Sequence, residues 1–290
     1  MCTNNLPESR RRMFLRPRTL REAVEALEAP EVKILAGGTD FYPALGERRV
    51  AGTVLDVTAI SELRGISVGP DLIRIGAGAT WTELIQTPLP RCFDALKAAA
   101  REVGSIQIQN RATVAGNLCN ASPAADGVPP LLILDAEVEL LSNRSERRVP
   151  LGDFITGNRK TVRRPNEIVS AILVPRTIEG PSAFLKLGAR RYLVISIAMV
   201  AAVIAPDGRG RVRQARVAVG SCSAVARRLE ELERALVGVA IAEMGEAVEL
   251  RYLDPLSPID DLRGTAEYRR DAARTLVVRA LRACSAEGIA

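Results

Sequence analysis

A pair of glycines directly after an apolar segment is the first feature of the sequence that could bind a ligand. The segment VKILA leads into Gly37 and Gly38, which Thr39 and Asp40 follow. Glycines lack a Cβ and tolerate positive φ, so successive backbone N–H groups can approach a phosphate closely there. Thr39 and Asp40 are placed to act on a ligand or to cap the next element of the chain. A tight turn that happens to use two glycines explains the same residues, and this segment alone leaves both explanations open.

A second stretch of small and polar residues could bind the same kind of ligand. It comprises Thr113, Val114, Ala115, Gly116 and Asn117, then continues through Ser122 and Ala125 to Asp126. Small residues allow close backbone approach, hydroxyl and amide groups can bind phosphate or ribose, and the final carboxylate adds an acidic group. An ordinary polar loop held by side-chain turns is the alternative. The length and composition of the stretch favour binding.

The residue types exclude several kinds of catalytic site. The 290 residues include no histidine, which excludes Ser-His-Asp and Cys-His nucleophilic sites and the common zinc sites built on imidazole. Five scattered cysteines fit neither a disulfide framework nor a CxxC metal site, and we expect free thiols, mostly in the core. These are Cys2, Cys92, Cys119, Cys222 and Cys284. Any chemistry is therefore expected to come from a bound cofactor, and no catalytic residue or metal ligand is predicted.

The net positive charge of the chain limits the kinds of partner that it could bind. The net charge of +6 comes mainly from arginine and suits an anionic cofactor, an acidic partner subunit or nucleic acid. With 3% aromatic residues, the stacking platforms for single-stranded nucleic acid are mostly missing, and no nucleic-acid partner is predicted. No apolar run approaches the roughly 20 residues of a membrane span, and no apolar stretch follows the basic residues at 10–12 as a signal would require. We expect a cytoplasmic protein.

Apolar spacing predicts the elements that position the two loops. A helix over PRTLREAVEALEAP and strands at VKILA and TVLDVT form a first unit. In a second unit, LIRIGAGATWTELI alternates before turning helical, and the helix DALKAAAREVG ends at Gly104. A long polar loop then leads to LLILDAEVELL, which has a strand-like pattern, and EIVSAILVP is a further strand. Both candidate segments therefore lie between regular elements.

The last part of the chain has a different pattern. The stretches SAFLKLGARRYLVISIAMVAAVIA and RVRQARVAVGSC predict antiparallel strands with a turn at Asp207 and Gly208. The segments ARRLEELERALVG and YRRDAARTLVVRALRAC predict helices. The predicted fold class is α+β: a tail at 1–12, two small α/β units at 13–65 and 66–175, and a C-terminal domain with a small antiparallel sheet and helices at 176–290.

Together, the two loops resemble the FAD-binding domain of the flavoprotein subunits of molybdenum hydroxylases, the xanthine dehydrogenase and carbon monoxide dehydrogenase family. The family signatures are an AGGTD-like loop and a T-(V/I)-G-G-N loop that continues to an aspartate. The resemblance extends from about Met13 to the C-terminal helix, and PIDDLRGTAEYRR at 258–270 is similar to the family's C-terminal domain. It implies a two-part FAD-binding domain of the PCMH type, so that the ligand would be FAD.

The resemblance also implies roles for individual residues. The main chain from Gly37 to Asp40 and from Thr113 to Asn117 would hold the FAD pyrophosphate from two sides, and Asp126 would bind a polar group of the cofactor. It further implies that Ile34 and Leu35 line the cofactor cleft, that Ala36 belongs to the first loop, and that Val103 and Ile108 lie close to the second. The other implied positions are Ser122 and Ala125, and Lys186 and Tyr192 near the flavin. Without the resemblance, the residue types favour a structural role for both: Lys186 as a partly exposed cation and Tyr192 as an aromatic residue of the core.

One residue departs from the family pattern. Ala115 stands where the family commonly has the first glycine of its pair. If the position requires positive φ or contact with phosphate, the methyl group weakens FAD binding by ~1 kcal/mol. If φ is negative, alanine costs nothing.

The resemblance implies an electron-transfer subunit. A large subunit with a molybdenum cofactor would oxidise the substrate, a small subunit with [2Fe–2S] clusters would pass the electrons on, and this chain would deliver them to NAD⁺, a quinone or oxygen. The assembly implied is a dimer of heterotrimers. The cysteine spacing matches no [2Fe–2S] site, so the clusters are expected on another chain.

Two alternatives to this function stay open. The first is a stand-alone flavin oxidase of the vanillyl-alcohol type, although such chains are longer and have a cap domain. The second is a scaffold that has lost its cofactor.

Overall fold

The computed structural model describes residues 13–48 and 50–286. The predicted tail at residues 1–12 lies outside the described residues. Within the described ranges, strands form sheets of three, five and four strands and one small two-stranded sheet, with helices between them. The α+β class is thereby confirmed, whereas the unit boundaries at residues 65 and 175 stay predictions.

The first sheet is parallel and delivers the first glycine loop. Its elements are β1 (Phe14–Leu15), α1 (Leu20–Ala26), β2 (Val32–Leu35), α2 (Phe41–Leu45) and β3 (Thr53–Asp56). Strand β3 lies between β1 and β2 and is parallel to both. The Thr19 hydroxyl accepts a hydrogen bond from the Glu22 N–H and caps α1, which buries Ala23 and Val24. Gly37 and Gly38 follow the carboxyl end of β2.

The second sheet is antiparallel, in the order β4-β5-β10-β6-β7. Its elements and the helices among them are β4 (Ile66–Val68), β5 (Leu72–Gly76), α3 (Trp81–Gln86), α4 (Asp94–Glu102), α5 (Ile106–Gln109), α6 (Val114–Asn120), α7 (Val128–Leu132), β6 (Glu137–Leu141), β7 (Glu146–Pro150), α8 (Leu151–Phe154) and β10 (Ile168–Pro175). Two short strands, β8 (Ile155–Gly157) and β9 (Lys160–Thr161), form a separate hairpin. Gly104, with φ of 57°, follows α4 as predicted.

The C-terminal domain packs helices on a four-stranded antiparallel sheet. Its elements are β11 (Ser182–Leu187), β12 (Ala198–Pro206), β13 (Val212–Gly220), β14 (Arg227–Arg228), α9 (Glu230–Leu236) and α10 (Ala266–Ala286). The predicted pairing of β12 with β13 is confirmed. Side chains alternate along β12: Met199 and Ala201 join the core of the first two units, whereas Val200 and Ala202 join the core beneath α9 and α10. One strand therefore joins the two cores.

The region between α4 and β6 differs from the prediction. A long loop followed by a strand over 131–141 was expected, but the region contains α5, α6 and α7, and the strand begins only at Glu137. Leu131 and Leu132 belong to α7, and Asp135 has a φ of 50° between helix and strand. Helices of four to seven residues span at most two turns. Apolar spacing cannot distinguish such short helices from a loop or a strand.

Candidate functional site

A cleft of about 1270 Å³ brings the two predicted segments together. Its wall includes the loop after β2, the start of α6, the β8–β9 hairpin and the start of β10. Pockets for drug-sized molecules are roughly 300–1,000 Å³. The cleft is therefore large enough for a longer, extended ligand.

The first glycine loop packs against the main chain that precedes the second loop. A Cβ on Gly37 would lie 2.0 Å from the carbonyl oxygen of Arg111, so no other residue fits without moving one loop. Gly38 has a φ of 77°, which favours glycine. Among the described residues, the backbone N–H groups of Gly37, Gly38 and Thr39 have no hydrogen-bond acceptor. These three donors are available to a ligand in the cleft.

The carboxylate of Asp40 is available as well. Asp40 stands at the N-cap of α2, but its side chain makes no capping hydrogen bond. The sequence predicted that Asp40 would either act on a ligand or cap the next element. The Asp40 side chain does not cap α2. It lines the cleft instead.

The second loop is the capped start of α6. The Thr113 hydroxyl accepts a hydrogen bond of 2.9 Å from the Gly116 N–H, and the Val114 N–H donates to the carbonyl oxygen of Ala79 at 3.1 Å. The second of these bonds holds the segment against the residues just before α3. Ala115 lies inside α6, is 3% exposed and has no positive φ. Alanine therefore fits the backbone at this position without strain.

The structure places most of the predicted site residues on the cleft wall. The wall residues among them are Ile34, Ala36, Gly37, Gly38, Thr39, Asp40, Val103, Ile108, Thr113, Ala115, Gly116 and Asn117. Other predicted residues do not line the cleft: Leu35, Val114, Ser122, Ala125, Asp126, Lys186 and Tyr192. Leu35, Val114 and Ala125 are buried in the hydrophobic interior. The Ser122 hydroxyl accepts a hydrogen bond from the Ala124 N–H at 3.3 Å.

Asp126 and Lys186 form a buried ion pair. Lys186 Nζ lies 2.7 Å from Asp126 Oδ2, and the side chains are 7% exposed for Lys186 and 10% exposed for Asp126. The Ser196 hydroxyl donates to Asp126 Oδ1 at 3.0 Å. Burial raises the pKa of Asp126, and the charge and hydrogen bond of Lys186 oppose that rise. Lys186 is thus not the partly exposed cation that its residue type alone favours.

Tyr192 lies on the surface of the C-terminal domain. Its side chain is 61% exposed, and the Arg191 guanidinium lies 5.3 Å from the centre of its ring. It is therefore neither a core aromatic nor, in this structure, part of the cleft wall. The loop over residues 188–197 that carries it connects β11 to β12.

Several wall residues were missed by the sequence prediction. The cationic ones are Lys33, Arg48, Arg159, Lys160 and Arg163, and other missed wall residues are Trp81, Cys119, Asn120, Ile168 and Val169. Among the described wall residues, Asp40 is the one carboxylate beside these five cations. The basic sequence NRKT, whose last two residues form β9, was the available signal for the hairpin. Because it is far from both loops along the chain, its position on the cleft wall could not be predicted.

Comparisons with known proteins agree on one kind of subunit. Residues 8–177 match the family model of the FAD-binding domain in molybdopterin dehydrogenase, and residues 183–284 match that of the CO dehydrogenase flavoprotein C-terminal domain. The chain is 32% identical to the xanthine dehydrogenase FAD-binding subunit of Escherichia coli O157:H7, over 92% of this chain and 94% of that one. It is 34% identical to the nicotinate dehydrogenase FAD-subunit of Eubacterium barkeri, over 90% and 92%.

A solved structure agrees with these sequence matches. A chain of the carbon monoxide dehydrogenase from Hydrogenophaga pseudoflava, in a form that lacks the Mo-pyranopterin moiety of the molybdenum cofactor, superposes with a TM-score of 0.84 and 29% identity. The match covers 96% of this chain and 98% of that one. The fold predicted for both domains is therefore confirmed.

Proposed function

Because the chain belongs to the family of FAD-binding subunits of molybdopterin dehydrogenases, we propose that it is the electron-relay subunit of a heteromeric molybdenum hydroxylase. FAD is the cofactor of this family, whose members are subunits of oxidoreductases. The observation that carries the proposal is the meeting of two glycine-containing loops on the wall of one large cleft.

The cleft fits FAD in size, donors and charge. Its volume of about 1270 Å³ exceeds that of an ordinary ligand pocket. The N–H groups of Gly37, Gly38 and Thr39 are donors without acceptors in the described chain, as binding of a pyrophosphate requires. The excess of cations on the wall complements the negative charge of the two phosphates.

The roles predicted for the two loops stand as part of this proposal. The main chain of Gly37 to Asp40 binds the pyrophosphate from one side, and the start of α6, from Thr113 to Asn117, from the other. In this second segment the N–H groups of Val114, Gly116 and Asn117 already donate within the chain, so that of Ala115 is the donor proposed for the phosphate. The apolar wall residues exclude water from the flavin. Asp126 and Lys186 already neutralise each other. The roles predicted for Asp126, as a ligand of a polar group of the cofactor, and for Lys186, near the flavin, remain proposals, because neither residue lines the cleft in this structure.

Bound FAD accepts electrons singly and releases them in pairs, which an electron relay requires. The chain itself needs no general base for this task, because its residues bind and orient the cofactor. The proposed partners are a large subunit with the molybdenum cofactor and a small subunit with [2Fe–2S] clusters, in a dimer of heterotrimers in the cytoplasm. The acceptor is external: NAD⁺, a quinone or oxygen. Within the described residues, no helix combines the length and apolar character needed to cross a membrane.

Anaerobic absorption spectra test the relay. The chain is purified alone and with its partner subunits, and xanthine, nicotinate or carbon monoxide, the compounds in the names of its relatives, is added. We expect one of them to bleach the flavin bands in the complex and none to bleach them in the isolated chain. Bleaching of the isolated chain would instead support a stand-alone oxidase, and a complex without flavin would contradict the proposal.

A further inference from the structure

The β8–β9 hairpin carries two cations on the cleft wall, Arg159 in its turn and Lys160 at the start of β9. Gly157 pairs with Lys160 across this hairpin, so that Asn158 and Arg159 form the turn. Both Arg159 and Lys160 line the cleft and are exposed. The hairpin therefore adds a basic part to the cleft wall that neither glycine loop provides.

Hydrogen bonds attach the hairpin to the helix that begins at the second loop. The Arg159 N–H donates to the carbonyl oxygen of Ala121 at 2.8 Å, and its guanidinium donates to Asn120 Oδ1. Both acceptors lie at the end of α6, a seven-residue helix about 10 Å long at 1.5 Å per residue. The hairpin thus lies roughly one helix length from Thr113, along the same wall.

Arg159 occupies a backbone conformation that suits glycine. Its φ is 59°, in the left-handed region where hairpin turns normally use glycine or asparagine. Arginine is uncommon in such a position, and glycine would fit the backbone there without strain. The hydrogen bond to Asn120 uses one nitrogen of the guanidinium, which leaves further donors for a ligand.

The wall also carries an apolar group of side chains. Val103 and Ile108 belong to the region that follows α4, and Ile168 and Val169 belong to β10. FAD likewise has two unlike halves: a flat, largely apolar flavin ring, and an adenosine diphosphate that carries the negative charge. Complementarity matches the apolar residues to the flavin and the cations to the diphosphate.

We propose that the β8–β9 hairpin binds the adenosine diphosphate half of FAD through Arg159 and Lys160, and that this contact makes the cleft selective for FAD over FMN. A guanidinium can both pair with phosphate and stack on an adenine ring. FMN has the flavin and one phosphate but lacks the adenosine monophosphate of FAD, so it gains nothing from a contact with that part of the cofactor. This inference rests on the proposed function.

Titration of the flavin-free full-length chain with FAD, FMN and ADP tests the proposal. The variants are Arg159→Gly, which suits the local φ, and Lys160→Glu. Arg144→Glu is the control, because Arg144 is an exposed cation between β6 and β7, outside the cleft wall. We expect each hairpin variant to bind FAD and ADP about tenfold more weakly, to change FMN binding less than twofold and to keep the wild-type melting temperature. The control should match the wild type.

Equal weakening of FAD and FMN, or no weakening of either, would overturn the proposal, as would an unchanged affinity for ADP. If Arg159→Gly fails to fold, Lys160→Glu decides the outcome, because the Lys160 ammonium makes no hydrogen bond or ion pair in the described chain. A wild-type chain that binds neither flavin would refute the proposed function itself. The two failures are therefore distinguishable.

Discussion

Lys186 Nζ lies 2.7 Å from Asp126 Oδ2, although the two residues are 60 positions apart in the chain. Asp126 lies between α6 and α7, whereas Lys186 belongs to β11 of the C-terminal domain. Both side chains are buried, and Ser196 completes the hydrogen bonding of the carboxylate. The pair therefore joins the C-terminal domain to the FAD-binding domain at a defined point.

Removal of the cation from this pair should destabilise the chain strongly. In Lys186→Met, the Asp126 carboxylate remains buried without its cation, a change that costs about 3–5 kcal/mol. The double variant Asp126→Asn/Lys186→Met should lose less than the sum of the single variants, because no charge is left buried. Urea unfolding of the four proteins measures the difference. Strictly additive losses would mean that the two side chains do not interact.

The same variant should recover stability in acid. Burial raises the pKa of Asp126, and the loss of Lys186 removes a group that opposes this rise. A carboxyl whose folded-state pKa exceeds its unfolded value stabilises the fold below the unfolded pKa and loses that contribution as pH rises through the folded pKa. The deficit of Lys186→Met relative to the wild type should therefore shrink as pH falls. A deficit that is constant from pH 7 to pH 4 would contradict this account.

For Glu167 we expect the opposite pH dependence of folding stability. Its side chain is 2% exposed. Burial opposes its ionisation, but hydrogen bonds from the Arg147 guanidinium and the Arg164 N–H outweigh burial and hold its pKa below the ordinary value for a glutamate. The stability from this carboxylate is present above the unfolded pKa and is lost as pH falls through the folded one. Glu167→Gln should cost about 1.5–3 kcal/mol at pH 7 and clearly less near pH 3. An equal cost at both pH values would refute the assignment.

Ala115 should tolerate the family's glycine without benefit to binding. The residue lies in α6 without positive φ, so Ala115→Gly relieves no strain and adds backbone freedom to a helix. We expect a loss of about 0.5–1 kcal/mol in unfolding free energy and an FAD affinity within twofold of the wild type. Thermal unfolding and flavin titration measure the two effects. A gain of fivefold or more in affinity would show that the methyl group obstructs the cofactor.

Gly37 should be far less tolerant. In Gly37→Ala, the new Cβ would lie 2.0 Å from the Arg111 carbonyl oxygen and force the two loops apart. We expect FAD affinity to fall by at least tenfold, measured by the quenching of flavin fluorescence. Gly152→Ala is the matched control, because a Cβ there meets no atom within 4 Å. Equal affinities in the two variants would mean that the contact between the loops does not shape the site.

Features determined by neighbouring residues were predictable from the sequence. The loop after β2, the end of α4 at Gly104 and the pairing of β12 with β13 follow from glycine placement and apolar spacing. Contacts between distant segments were not predictable in this way. The Arg159 guanidinium reaches Asn120 across 39 positions, and such pairings depend on the path of the chain rather than on local pattern. The family resemblance supplied the role proposed for the two loops but did not indicate the hairpin.

The flavin content of the purified chain tests the central claim most directly. Absorption spectra before and after heat release of the cofactor give the number of FAD molecules per folded chain, for the wild type and for Gly37→Ala. We predict about one FAD per wild-type chain and much less in the folded variant. A folded wild-type chain without flavin, or an equal FAD content in both proteins, would contradict the placement of FAD between the two loops.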